Sequence, residues 1–203
     1  TSNQRNTTFV SMLEFRISIQ MINELKNPLT ENYKQLKKII LSEEISWHYS
    51  PTTTINLNSD SKNKDMQFFS HVLLNRPNPA NDGIKVPLVT STYFEKCYYI
   101  LKEILDFNNI HFDVVYRMNL NLTLHSSVKE TTPHTDLNFP HKNIIIYLSS
   151  FENGRTIVLD KNNKKMFSET KENNIIMFDG ELAHYHESPA IDDTRIVMVA
   201  NFL

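Results

Sequence analysis

The stretch DVVYRMNLNLTL, residues 113–124, decides the fold because its apolar residues recur at every second position. Successive side chains of a β-strand point to opposite faces, so this period separates an apolar face from a largely polar one. The apolar set is Val114, Tyr116, Met118, Leu120, Leu122 and Leu124, and the other set is Val115, Arg117, Asn119, Asn121 and Thr123. The stretch predicts a strand whose polar face either meets solvent or lines a ligand pocket.

Short apolar runs follow this strand to the end of the sequence and are separated by turn signals such as Glu152-Asn-Gly154 and Asp179-Gly180. The runs are NIIIYL (143–148), RTIVLD (155–160), KKMFSE (164–169), NNIIMFD (173–179) and RIVMVANFL (195–203). Many short strands at this spacing favour a β-sandwich or barrel.

The N-terminal part has a different character. Apolar residues at helical spacing predict a helix that begins after Thr30, a plausible N-cap, and a second helix within 91–107 that carries Cys97 on its apolar stripe. MQFFSHVLLN, residues 66–75, is typical of a strand, and polar, proline-containing loops flank it. We expect a single domain over 1–203, with a helical and loop-rich part over about 1–112 and a β-core over about 113–203.

Composition narrows the classes of function. The chain has 203 residues, of which 40% are hydrophobic and 22% charged, with a formal net charge of −2. These values are ordinary for a globular protein and give no strong signal for nucleic-acid binding. The apolar runs are too short to cross a membrane, and the single Cys97 cannot form an internal disulfide. We therefore expect a soluble, cytoplasmic protein without membrane partners.

The chemistry-bearing residues begin in TTPHTDLNF, residues 131–139, where His134 and Asp136 are two positions apart. In extended backbone these side chains share a face, so a nitrogen and an oxygen can reach one metal ion. His184 and His186 follow about 50 residues later, after the turn at Asp179-Gly180. Two histidines and one carboxylate on one side of an octahedral ion are typical of non-haem Fe(II) oxygenases, whereas structural zinc sites usually have four protein ligands.

Arg195 stands at the start of the last predicted strand, eleven residues after His184. A guanidinium binds a carboxylate through two parallel hydrogen bonds, so Arg195 is a candidate for holding the far end of a small dicarboxylate. The alternative is a salt bridge to Asp192 or Asp193.

Three segments together resemble the Fe(II)/2-oxoglutarate-dependent dioxygenase superfamily, especially its prolyl 4-hydroxylase-like and phage-type members. They are PHTDL (133–137), IIIYLSSFENGRTIVLD (144–160) and NNIIMFDGELAHYHESPAIDDTRIVMVANF (173–202). The resemblance covers about 113–203, with a weaker similarity in SEEISWHYSPTTT, residues 42–54. It implies a mainly β fold with packed helices, the double-stranded β-helix or jelly roll that is also seen in cupins.

The resemblance also implies a ligand set. His134, Asp136 and His184 would bind Fe(II), and Arg195 would bind the distal carboxylate of 2-oxoglutarate. The F-D-G-x-x-x-H pattern selects His184, whereas the spacing of nine from His186 to Arg195 also occurs among prolyl hydroxylase relatives, so both histidines stay open. Gly154 and Thr156 match the family's Gly-x-Thr, although Arg155 replaces a common second glycine and is expected to crowd the turn. Further expected contacts of 2-oxoglutarate or substrate are Arg117, Asn119 and Asn121 on the polar face of their strand, with Tyr147 and Thr156.

The activity that the resemblance implies is hydroxylation with O2, in which 2-oxoglutarate is converted to succinate and CO2. Because Asp136 is a carboxylate where halogenating relatives lack one, hydroxylation is favoured over halogenation. The substrate would be peptidyl, with proline one option, or a small molecule. Two alternatives are a jelly-roll binding or structural module that does not turn over, and a cupin-type enzyme that uses Zn or Mn without 2-oxoglutarate.

Overall fold

The structure is a computed structural model that describes residues 22–53, 65–77 and 86–203. Within these ranges it contains two helices, α1 (Glu31–Ile40) and α2 (Phe94–Phe107). The strands are β1 (Ile22–Leu25), β2 (His48–Ser50), β3 (Phe68–Asn75), β4 (Leu88–Val89), β5 (Val115–Leu124), β6 (Lys142–Tyr147), β7 (Thr156–Leu159), β8 (Lys165–Phe167), β9 (Ile175–Asp179), β10 (His184–His186) and β11 (Thr194–Phe202).

The described strands form two antiparallel sheets. The large sheet has the order β1-β9-β6-β11-β5-β3-β2, with β4 beside β3, and the small sheet has the order β10-β7-β8. The chain crosses between the sheets repeatedly, since β6, β9 and β11 lie in the large sheet and β7, β8 and β10 in the small one. This is the mainly β, double-stranded β-helix architecture predicted from the sequence.

From Arg117 to Thr123 the two faces of β5 have the separate roles that the alternating sequence predicts. Val115, which the sequence placed on the polar face, instead lies in the core, because the pairing of β5 with β11 shifts register between Asn201 and Phe202. Met118 and Leu120 are fully buried in a core that includes Leu36 of α1 and Leu101 of α2. The intervening residues Arg117, Asn121 and Thr123 line a cavity on the other face. The helices therefore cover the outside of the large sheet, and the polar face of β5 is left for the interior of the roll.

Both predicted helices form for the expected local reasons. The hydroxyl of Thr30 accepts a hydrogen bond from the backbone N–H of Tyr33 at 3.1 Å, which satisfies one free donor at the start of α1. On α2, Cys97 is fully buried, and burial raises the pKa of its thiol to about 12. Cys97 is thus a core residue, as its place on the apolar stripe predicts. In the described ranges neither helix is long and apolar enough to cross a membrane.

The N-terminal part contributes more to the β-structure than its sequence indicates. The predicted strand appears as β3 and pairs with β5, while β1, which the sequence did not reveal, adds to the edge of the large sheet by pairing with β9. A strand of four residues is too short for an alternating apolar pattern to be recognised in the sequence. Much of the two predicted loops, at 50–65 and 75–87, lies outside the described residues.

Replacing Leu101 with alanine should lower the free energy of unfolding by about 2–5 kcal/mol, because the substitution leaves a cavity between α2 and the large sheet. Leu101 is 0% exposed. Lys96→Ala, on the exposed side of the same helix, is the matched control and should change stability by less than about 0.5 kcal/mol. Urea denaturation measures both. Equal losses in the two variants would contradict the packing of α2 described here.

Candidate active site

His134, Asp136 and His184 meet at one point of the roll, and one potential ligand atom from each lies within 4.8 Å of the others. The backbones of His134 and His184 exchange two hydrogen bonds, of 3.0 and 2.9 Å, which join the loop before β6 to β10. Asp136 Oδ2 is 3.5 Å from His184 Nε2. The structure therefore brings together the three residues that the sequence proposed as metal ligands.

The hydrogen bonds of the two rings orient one nitrogen of each toward a ligand. Nδ1 of His134 lies 2.9 Å from the carbonyl oxygen of Thr132, and Nδ1 of His184 lies 3.3 Å from that of Leu182. A carbonyl oxygen only accepts, so Nδ1 of each ring carries the proton and Nε2 keeps its lone pair. Burial, with the proximity of His184, lowers the pKa of His134 and favours the neutral form that binds metals.

Asp136 is held from several sides. Arg117 donates to Oδ1, and Arg76 donates to the main-chain carbonyl oxygen. The Asn201 amide donates to Oδ2 at 3.1 Å. Burial acts to raise the pKa of this carboxyl, but Arg117 and the two histidines outweigh it and hold the pKa well below its usual range. Asp136 is therefore an anion over the whole physiological range of pH.

His186 takes a different position from His184, although both line the same cavity. It is not a member of the three-residue cluster. Its Nδ1 lies 2.9 Å from the carbonyl oxygen of Glu187, and burial, with the nearby charge of Arg195, lowers its pKa to about 3. Of the two histidines left open by the sequence, the geometry favours His184 as the third ligand and places a neutral His186 between the cluster and Arg195.

Arg195 is a buried cation without an anionic partner in the described part of the chain. It is only 3% exposed. Nε donates to the carbonyl oxygen of Gly154 at 2.9 Å, and Nη2 donates to Oγ1 of Thr156 at 3.1 Å. The alternative salt bridges to Asp192 and Asp193 are not formed. Both bonds of Arg195 go to neutral groups, which leaves its charge uncompensated.

The turn before β7 fixes this guanidinium. Gly154 has a φ of +61°, and a Cβ there would lie 3.1 Å from the ring of Phe151 and 3.3 Å from Cδ of Arg195. Only glycine fits this backbone and this approach without strain. Arg155 points outward, donates two hydrogen bonds to Glu187 and lies over the ring of Phe167. It therefore does not crowd the turn, contrary to the expectation from the sequence.

Tyr147 and Thr156 support Arg195 from behind. The Tyr147 hydroxyl lies 2.7 Å from Oγ1 of Thr156 and 2.7 Å from Oγ of Ser168. Thr156 borders the cavity, whereas Tyr147 is fully buried and is not among its lining residues. Of these two expected contacts, the structure places Thr156 at the cavity and Tyr147 one layer deeper, where it positions Thr156.

One face of the large sheet gives the cavity both polar and apolar side chains. Asn121 and Thr123 on β5 face it with buried side-chain oxygens, Oδ1 and Oγ1, for which the described residues offer no partner. Beside them, on the neighbouring strands β11 and β6, are the apolar side chains of Val197, Val199 and Ile145. This combination suits a small molecule with polar ends and an aliphatic middle.

Asn119, which the sequence grouped with Asn121, has a different environment. It is 5% exposed, and when its amide is turned so that the oxygen faces Arg117, that oxygen accepts from Nη2 of Arg117 at 2.9 Å and the nitrogen donates to the carbonyl oxygen of Met118 at 2.9 Å. Asn119 therefore positions Arg117 and is not among the cavity-lining residues. Sequence reasoning missed Thr123, Asn201 and Arg76, and for Thr123 the alternating pattern of β5 was a usable signal.

Comparison with solved structures finds the same fold in iron-dependent oxygenases. A 2OG-Fe(II) oxygenase family oxidoreductase from Burkholderia pseudomallei superposes with a TM-score of 0.64 at 12% identity, over 84% of this chain and 78% of that one. A prolyl hydroxylase from Trichoplax adhaerens, in complex with a hypoxia inducible factor peptide, gives 0.58 at 9% identity over 91% and 84%. A non-haem alpha ketoglutarate dependent epimerase from nogalamycin biosynthesis gives 0.56 at 11% over 90% and 77%.

These structures confirm the fold to which the sequence resemblance pointed. At such low identity they are evidence for the architecture alone. No model of a known protein family matches the sequence, and no curated protein matches it significantly.

Substitution of His184 by alanine should abolish tight binding of a divalent metal, weakening it by about 100-fold or more, because one of three ligands is lost. His186→Ala, two residues along the same strand, should change metal affinity by less than about 10-fold. Anaerobic calorimetric titration with Fe(II) measures both variants. The reverse order of the two effects would assign the third ligand to His186.

Proposed function

We propose that the protein is an Fe(II)- and 2-oxoglutarate-dependent oxygenase that hydroxylates its substrate. The observation that carries this proposal is the pairing of two incomplete sites in one cavity. His134, Asp136 and His184 offer three metal donors. Arg195 offers a buried positive charge for which the described residues supply no anion. A metal ion would complete the three-residue cluster and keep coordination positions open, and a dicarboxylate would supply the anion that Arg195 lacks.

The donor set fits Fe(II). Two neutral imidazoles and one carboxylate are the ligands of the facial triad, in which the remaining positions stay open for co-substrate and O2. The second nitrogen of each imidazole is already bonded to a carbonyl group, which holds the rings in place before a metal arrives. The cluster contains no thiolate and no fourth protein ligand among the described residues, which distinguishes it from a structural zinc site.

The other end of the cavity fits the distal carboxylate of 2-oxoglutarate. Burying a guanidinium without a partner is costly, so a site of this kind is stabilised by an anionic ligand. Thr123 is the register partner of Arg195 on the neighbouring strand, and its buried hydroxyl is unpartnered in the described structure. Val197 and Val199 would pack against the methylene groups of the co-substrate. Fe(II), 2-oxoglutarate and O2 are thus the cofactor and co-substrates of this proposal.

When bound, Fe(II) and 2-oxoglutarate supply the oxidative chemistry, in which O2 gives one oxygen atom to succinate and one to the hydroxylated product while CO2 is released. The contribution of the chain is to bind, orient and exclude water. Arg117 and Asn201 hold the carboxylate of Asp136, and the apolar side chains Ile145, Val197 and Val199 would limit access of water to the reacting groups. Asp136 occupies the ligand position that halogenating relatives leave open, which supports hydroxylation.

For the substrate we propose a peptidyl group, with proline one option, or a small molecule. One structural neighbour is a prolyl hydroxylase in complex with a peptide, and another is an epimerase from nogalamycin biosynthesis. Both kinds of substrate are therefore compatible with this scaffold.

Replacing Arg195 with methionine tests the proposal. We expect 2-oxoglutarate to bind about 100-fold more weakly, because a buried charge-assisted pair is lost. The readouts are the visible charge-transfer band that forms when 2-oxoglutarate is added anaerobically to the Fe(II)-loaded protein, and succinate release in air. Arg155→Met is the matched control, since this arginine is exposed and pairs outside the cavity, and it should leave both readouts unchanged.

Absence of the band in the wild-type protein would favour a binding module without turnover. Succinate release that survives Arg195→Met undiminished would contradict the assignment of Arg195. Metal-dependent turnover that continues without 2-oxoglutarate, in the wild type and in Arg195→Met alike, would favour a metal enzyme that does not use this co-substrate.

A further inference from the structure

Two guanidinium groups converge on Asp136. Arg117 pairs with its carboxylate, and Arg76, which directly follows β3, donates to its main-chain carbonyl oxygen. Arg76 has no carboxylate within 4.0 Å in the described ranges, and Asp136 is the only such partner of Arg117 there. One carboxylate therefore faces two positive charges before any metal is bound.

Metal binding adds positive charge at this end of the cavity. A divalent cation bound to His134, Asp136 and His184 would share the negative charge of Asp136 with Arg117. Asp65, a further acidic group near this cavity, keeps its negative charge while it accepts hydrogen bonds from the hydroxyls of Thr52 and Thr53 at 2.8 and 2.6 Å. Among the described residues, Asp65 and Asp136 together balance Arg76 and Arg117, so a bound divalent cation leaves an excess of positive charge at the metal end of the cavity.

This excess is separate from the charge of Arg195. On β11, Arg195 lies opposite Thr123, whereas Asn201 lies opposite Arg117. These register positions are six residues apart, or roughly 20 Å along β5. A co-substrate held by Arg195 therefore neutralises the far end of the cavity. Arg117 lines the metal end and its side chain is 19% exposed, so a second ligand can reach it.

We propose that Arg76 and Arg117 bind an oxyanion group, carboxylate or phosphate, of the primary substrate beside the metal. The inference rests on the proposed function, because it assigns this end of the cavity to the molecule that is oxidised. A guanidinium has five N–H donors in a fixed fork. Arg117 uses Nη1 on Asp136 and Nη2 on Asn119, and Arg76 uses Nη1 on Asp136. The substrate is then an acidic small molecule or a peptide with an acidic group near the oxidised carbon.

The test uses inorganic phosphate and acetate as probes, each titrated by calorimetry into the anaerobic Fe(II)-loaded protein with saturating 2-oxoglutarate. We expect at least one probe to bind, and Arg76→Gln to weaken that binding by about 10-fold or more, the usual effect of losing one charge-assisted bond. Arg76→Lys, which keeps the charge, should stay within about three-fold of wild type. The probe that binds with the higher affinity indicates whether the acidic group of the substrate is a carboxylate or a phosphate.

Lys129→Gln is the matched control, because it removes one positive charge from an exposed position and should leave probe binding unchanged. The 2-oxoglutarate charge-transfer band is recorded for every variant, and in R76Q the affinity for the probe should fall by a larger factor than the affinity for 2-oxoglutarate. A weaker band in R76Q with unchanged probe binding would show that Arg76 only positions Asp136, which overturns the inference. Arg76→Met gives the same comparison if R76Q does not fold.

Binding of neither probe to the wild type, with a normal band, also overturns the inference and leaves the proposed function intact. A wild-type protein without the band contradicts the proposed function itself, and the inference falls with it.

Discussion

The antiparallel pairing of β5 with β11 is the contact on which the rest of the molecule depends. Its register places Thr123 opposite Arg195 at one end and Arg117 opposite Asn201 near the other. On the outer face the same two strands form the core beneath α1 and α2. A shift of one residue would turn the polar side chains of β5 into that core, so the apolar face fixes the register and thereby places the site.

Charge balance is the second constraint, and it differs between the two ends of the cavity. Asp136 accepts hydrogen bonds from Arg117 and Asn201, so its carboxylate is oriented before a metal binds. Arg195 is oriented by neutral oxygens of Gly154 and Thr156 but is not neutralised. The guanidinium of Arg195 is held in place but its charge is not balanced. Burying such a charge costs free energy, and a bound anion offsets this cost, so the site is suited to an anionic ligand.

Much of this arrangement is readable in the sequence, and the remainder has a physical reason for being hidden. The alternation in β5 predicted both faces of the strand, and the spacing of His134, Asp136 and His184 predicted the cluster. His184 and His186 could not be separated, because residues two apart share a face of a strand. Asn201 and Arg76 reach Asp136 across 65 and 60 residues of sequence, and no local pattern encodes such long-range contacts.

The central claim is that one cavity holds a metal at His134, Asp136 and His184 and an organic acid at Arg195. Anomalous diffraction at the iron edge, from crystals grown anaerobically with Fe(II) and 2-oxoglutarate, tests it most directly. The account predicts a single strong peak from one iron atom that is coordinated by Nε2 of both histidines and by the Asp136 carboxylate. Electron density for the co-substrate should extend from this iron to the guanidinium of Arg195. A peak at any other position, or an Arg195 still bonded only to protein oxygens, would contradict it.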